Sequence, residues 1–193
     1  MYSRWNNNSY TWNYKKVNKN QTRYSAGILP YTFDQEGKCL FLLGKDNDND
    51  WSDFGGRCEF KDRCDPINTA TREFYEETLG AVLTIEECIN KLGSSPTKII
   101  SKTLNGSPYY MYLVFIDNLN YSETFNKTSQ FLRYQFDKQE MNKLIEKNTI
   151  RWVSMDTLLV CIENEQRNAP ISLRGVFYTT LVNCKDQLQL IVT

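Results

Sequence analysis

The chain has 193 residues, 23 basic and 23 acidic side chains, and no histidine. That length supports one domain with an extension and a sizeable core, and the zero net charge excludes a global electrostatic pull toward nucleic acid or an anionic membrane. Without histidine, Ser-His-Asp and Cys-His catalysis are excluded; six cysteines with no C-x-x-C pair offer neither a zinc site nor a disulfide framework, so carboxylates and a metal ion are the chemistry left.

Residues 1–22 are polar, with Tyr, Trp and Asn interleaved and no clear period, and read as a flexible or packing N-terminal arm. The first residues contain no apolar signal-like core, and no run approaches the ~18 apolar residues of a membrane span. The expectation is a soluble, non-secreted, cytoplasmic protein with no membrane contact. Residues 23–193 form the expected folded domain.

Ser25–Tyr31 and Lys38–Gly44 read as two strands around the turn Asp34-Gln35-Glu36-Gly37, the second apolar enough to be buried on both faces. The acidic run 46–50 lacks the glycine and closing glutamate of a calcium loop and reads as a solvated turn. Trp51-Ser52-Asp53-Phe54 then leads into Gly55-Gly56, a pair that lets backbone approach backbone or ligand closely.

Asp65-Pro66 is a helix start, because the Asp side chain can cap a first-turn amide and proline fits the first helical position. The helix is expected over 66–79, stopping near Gly80. At ~100° per residue, Glu73, Glu76 and Glu77 fall within an arc of roughly 100°, while Ile67, Thr71, Phe74 and Thr78 point the other way. Like charges at this spacing repel, so the acidic face needs open solvent or a cation. Mg²⁺ is commonly held by one or two carboxylates plus substrate phosphates. On this reading Glu77→Gln leaves stability unchanged or slightly higher.

Gly56, Arg72, Glu73, Phe74, Glu76 and Glu77 together resemble the Nudix box, G-x5-E-x7-R-E-U-x-E-E-x-G-U with U a bulky apolar residue. Fifteen residues separate Gly56 from Arg72 where the pattern has thirteen. The glutamate preceding the helix is therefore replaced by Cys64 when the helix is the anchor, or by Asp62 when the glycines are. The resemblance implies a divalent ion, Mg²⁺ or Mn²⁺, held by Glu73, Glu76 and Glu77. Arg72 would orient that cluster, Gly55, Gly56 and Glu59 would contribute to the cofactor site, and Glu59 or Asp62 would supply the missing carboxylate. The implied reaction is hydrolysis of a phosphoanhydride in a nucleoside diphosphate linked to another group. Removal of an mRNA cap, which would make capped RNA the partner, and a non-catalytic nucleotide- or protein-binding module are the alternatives. The general base stays open between a box glutamate and Glu123, Glu140 or Glu146. The abundance of Asn and Lys fits an AT-rich genome, such as that of a large DNA virus or a protist.

Beyond the box, Ala81–Thr84 reads as a short strand and Ile85–Leu92 as a short helix. Thr97–Leu104 and Tyr109–Ile116 flank the hairpin signal Asn105-Gly106-Ser107-Pro108, with Tyr109 and Tyr112 expected to pack and Tyr110 left open. Tyr121–Arg133 reads as a loop or lid, Asp137–Lys147 as amphipathic, and Thr149–Val153 as a strand. Glu146 to Trp152 resembles the E-x(n)-I-x-W segment of Nudix proteins. Helices are expected over 155–162 and about 173–188. Strands before and after one central helix imply an α/β/α sandwich with a mixed sheet, as the resemblance does; the oligomeric state is not legible.

Overall fold

The computed structural model describes residues 23–117, 120–136, 145–164 and 169–192, with side chains to residue 190. The N-terminal arm, Glu140 and most of the segment expected to be amphipathic lie outside the described residues.

A mixed sheet is threaded by β1 (Ser25–Phe33), which pairs in parallel with β6 (Pro108–Phe115) along one side. Its other side is shared. The C-terminal end of β1 pairs antiparallel with β2 (Cys39–Asp46), and its N-terminal end with β4 (Phe54–Arg57). β2 also holds β3 (Trp51–Ser52) and β7 (Lys147–Ser154), both antiparallel, and β5 (Lys98–Lys102) closes the β6 side. The chain thus crosses from β2 to β1 within one residue, Asp53, between β3 and β4.

Strand alternation distributes the apolar side chains to two cores. Ala26, Ile28, Leu42, Phe54, Tyr112 and Val114 face α1 (Pro66–Glu77), α2 (Ile85–Leu92) and α3 (Tyr121–Gln135) through Phe74, Cys88 and Phe125. Leu29, Phe41, Leu43, Met111 and Leu113 face α4 (Met155–Glu163) and α5 (Gly175–Val192) through Leu158, Phe177 and Leu181. The fold is therefore an α/β/α sandwich around a mixed sheet. β2 is buried on both faces as expected, since Phe41, Leu42 and Leu43 are fully enclosed.

Most helix ends follow local signals. The Asp65 carboxylate accepts from the Ile67 amide with Pro66 at the first position of α1. Thr84 and Ser154 cap α2 and α4 in the same way. α1 stops two residues earlier than expected: Thr78 turns its hydroxyl back to the Phe74 carbonyl, and Leu79 and Gly80 both take left-handed conformations. Ala81–Thr84 forms no strand.

The expected loop at 121–133 is a helix. Only Phe125 and Ser129 of α3 are buried, a stripe too narrow to read as amphipathic. Tertiary bonds hold it: the Asn126 amide accepts from the Ile150 amide and the Thr149 hydroxyl, and donates to the Ile150 carbonyl on β7. β7 itself begins at Lys147, where the amphipathic segment was expected to continue. Among the described residues no helix is long and apolar enough to cross a membrane.

Candidate active site

The glycine pair lies on β4, where Gly27 of β1 is the partner of Gly55. A Cβ on Gly55 would stand 2.6 Å from the Gly27 Cα and 2.7 Å from the Tyr109 hydroxyl, and one on Gly56 would stand 2.5 Å from the Glu73 carboxylate. Gly55 thus makes a passage for a phenol, and Gly56 makes room for a box carboxylate. Tyr109 uses that passage to donate to Asp53 Oδ2. Burial pushes the Asp53 carboxyl up to about 6 against the bond from Tyr109. Tyr109 does pack, as expected, but it also serves this polar contact.

α1 delivers its carboxylate stripe to two separate cations. Arg72, 7% exposed, spends all five of its N–H bonds. Nε and Nη2 form a fork on Asp62 at 2.8 and 2.9 Å, Nη1 donates to Glu73 at 2.8 Å and Glu76 at 3.0 Å, and Nη2 also reaches the Arg57 carbonyl at 3.0 Å. Burial would raise the Asp62 carboxyl, but the bonds from Arg72, the Glu59 amide and Thr69 outweigh it and hold it at about 2.

The lengthened loop explains which carboxylate reaches Arg72. Phe60–Asp62 forms a 3-10 turn, and Arg63 and Cys64 follow with φ of 55° and 59°. Two consecutive left-handed residues cost roughly 1–2 kcal/mol each, and with them the loop seats Asp62 against Arg72 of the helix. Anchoring on the glycines therefore identifies the partner: Asp62 is buried against Arg72, and Cys64 is exposed. Glu59 stands at the periphery, 3.3 Å from Lys61 and 3.8 Å from Arg72.

Of the two expected surroundings for the acidic face, open solvent or a cation, Glu77 has the cation. Glu77 is 4% exposed, whereas Glu76 remains half exposed. Its Oε1 lies 3.3 Å from the ammonium of buried Lys147, and its Oε2 has no hydrogen-bond partner among the described residues. Burial drives the Glu77 carboxyl up to about 8; Lys147 opposes that rise, and Glu146, Glu73 and Asp53 add to it. Burial likewise raises Glu73, with Arg72 opposing.

Two cavities share Arg174, and the smaller touches this stripe at Glu77. The larger, about 620 Å³, runs from Gly55 and Gly56 past Asp53 and Tyr109 and is bordered by Arg23, Arg57 and Arg174. The smaller, about 300 Å³, is bordered by Glu77, Glu146, Lys147, Arg174 and the acidic turn at Asp46 and Asp48. Among the candidate bases, Glu146 acts electrostatically on both Glu73 and Glu77. Glu123 is instead paired with Lys127 on the exposed face of α3.

As the side chains lie, no three acidic or thiol groups among the described residues converge closely enough to hold a metal ion. Arg72 separates Glu73 from Glu76, and Lys147 takes one oxygen of Glu77. The donor chemistry nevertheless fits a hard divalent cation, since the groups are carboxylates and one buried oxygen lacks a partner. Lys147, Ser52, Asp53 and Arg174 were missed from sequence. Lys147 adjoins Glu146 in a segment the pattern did mark, but nothing local shows that its ammonium points inward.

No protein-family model matches the sequence, and no curated protein matches it. Solved structures similar to it include the Ap4A hydrolase of C. elegans, at 15% identity and TM-score 0.48, covering 88% of this chain and 98% of that one. The C-terminal domain of mouse MUTYH, solved with human PCNA, is 10% identical over 86% of this chain and 90% of that one, TM-score 0.47. The NUDIX domain of Shewanella oneidensis NrtR, complexed with ADP ribose, is 10% identical over 86% and 87%, TM-score 0.47. At these identities and scores, no residue role passes from them to this chain.

Proposed function

We propose that this chain is a Nudix-type pyrophosphohydrolase that cleaves a phosphoanhydride bond in a nucleoside diphosphate linked to another group, acting in the cytoplasm. The observation that carries the reading is Glu77: a buried carboxylate with one unpartnered oxygen, among Glu73, Glu146 and Asp53, at the edge of a cavity that shares Arg174 with a second, arginine-bordered one.

Glu73, Glu76 and Glu77, with Glu146 beside them, are the residues that would hold Mg²⁺ or Mn²⁺. Bound there, a divalent ion supplies charge neutralisation for the diphosphate and a water of lowered pKa. Arg72 fixes the orientation of Glu73 and Glu76 through bonds already made. Glu146, exposed and close to the stripe, takes the proton of the attacking water as general base. Arg23, Arg57 and Arg174 bind phosphate oxygens along the larger cavity, which Gly55 and Gly56 also border.

The test is formation of a nucleotide product and the phosphorylated partner group, resolved by chromatography, with Mg²⁺ or Mn²⁺ across nucleoside diphosphate sugars, dinucleoside polyphosphates and capped RNA. Metal-dependent turnover of a small diphosphate is the expected result. Turnover of capped RNA alone would replace the substrate with the cap. Nucleotide binding without turnover of any compound would make the chain a binding module.

A further inference from the structure

We propose that the Lys147 ammonium is a built-in substitute for one divalent cation at Glu77, so that the chain binds one metal ion fewer than its carboxylates would otherwise take. The inference rests on the metal-site reading above and concerns how that site is limited.

Lysine is among the residues least often fully buried, yet the Lys147 side chain is 1% exposed. Its stem reaches the interior by crossing Gly44, where a Cβ would stand 2.8 Å from Cδ and 2.9 Å from Cγ. At the far end Nζ donates to Ser52 Oγ at 2.8 Å, lies 3.3 Å from Glu77 Oε1 and stands 5.9 Å from the centre of the Phe54 ring. Ser52 donates its own proton to the Asp53 carbonyl at 2.8 Å, which turns its lone pairs toward the ammonium. The cation is therefore seated by β2, β3, β4 and α1 together.

Charge decides what it does there. Glu77 has Glu73, Glu146 and Asp53 as anionic neighbours. Lys147 pairs with one oxygen of Glu77 and leaves the other without a partner among the described residues. A divalent ion can use Oε2 directly, whereas one approaching Oε1 must displace an ammonium. Holding that ammonium in place of an ion removes a metal-concentration requirement at this oxygen.

The experiment is Mn²⁺ binding to the full chain at pH 8 without nucleotide, with free Mn²⁺ measured by electron paramagnetic resonance. Lys147→Met keeps the stem and removes the charge. It should bind one more Mn²⁺ per chain than the parent, or bind its tightest ion about tenfold more strongly. Lys147→Arg should keep the parent count, and Glu77→Gln combined with Lys147→Met should lose the gain. If the parent binds Mn²⁺ and Lys147→Met matches or falls below it, this inference is overturned while the metal-site reading stands. If neither binds Mn²⁺, both are overturned. Should Lys147→Met lack a native circular dichroism spectrum, Ser52→Ala, which removes one bond to the ammonium, reads the same point: tighter Mn²⁺ binding supports it and unchanged binding overturns it.

Discussion

Arg72 and Lys147 serve the same carboxylate stripe of α1, and both are nearly excluded from solvent, yet their surroundings differ in one respect. Every N–H of Arg72 has an acceptor, and its main partner Asp62 is held at about 2. Lys147 faces a carboxylate pushed up to about 8 that keeps one oxygen unpartnered. A buried ion pair stabilises only when the remaining lone pairs and protons are also satisfied. The Arg72 cluster meets that condition and acts as a clamp between the lengthened loop and the helix. The Glu77 cluster does not meet it, and under the proposed function its unpartnered oxygen makes it the reactive end.

The largest expected effect falls on that reactive end. Glu77→Gln should lower turnover by about a thousandfold or more, because several kcal/mol of transition-state charge stabilisation depend on this carboxylate. Around neutral pH its stability should change by less than about 1 kcal/mol, because the carboxyl is pushed up to about 8 and Gln reproduces its protonated form. Steady-state kinetics beside denaturant unfolding separates the catalytic effect from the structural one; near-parent turnover would remove Glu77 from the site.

The clamp breaks differently. Asp62→Ala strands a buried guanidinium and should destabilise the fold by about 3–5 kcal/mol. Glu59→Ala, at a half-exposed residue of the same loop, should cost less than about 1 kcal/mol. Equal urea midpoints for the two variants would show that the clamp has no special standing.

Gly56→Ala tests the space between the regions. Its Cβ would meet the Glu73 carboxylate at 2.5 Å, so Glu73 must move off its bond to Arg72. A stability loss of about 1–3 kcal/mol is expected, with a larger proportional loss of turnover. An unchanged rate would place Glu73 outside the chemistry.

A pH slope has opposite signs in the two regions. The Asp62 carboxyl is lowered on folding to about 2, so its contribution is complete above the unfolded value near 4 and lost as pH falls toward 2. Asp53 and Glu77 are raised to about 6 and about 8, so the unfolded chain releases these protons first. Stability of the metal-free protein should therefore decline as pH rises from about 4 to about 8. Thermal unfolding across that range should show a shallower decline in Glu77→Gln, and an equally steep one would assign the slope elsewhere.

The sequence alone determined what depends on neighbours within a few residues. The Asp65-Pro66 start of α1 and the hairpin turns at 34–37 and 105–108 are local hydrogen-bond chemistry, legible because donor and acceptor lie almost side by side in the chain. The carboxylate spacing on α1 was legible for the same reason. Tertiary structure alone decided which of those carboxylates met a cation and which met water. Asp62 rather than Glu59 reaches Arg72 because two left-handed residues redirect the loop. α3 is a helix because Asn126 finds β7 across more than twenty residues. Glu77 is buried because Lys147, seventy positions away in sequence, crosses Gly44 to meet it. Spacing along a helix fixes the direction in which a side chain points, but solvent, cation or core at the end of that direction is supplied by distant strands, and their approach leaves no mark in the local pattern.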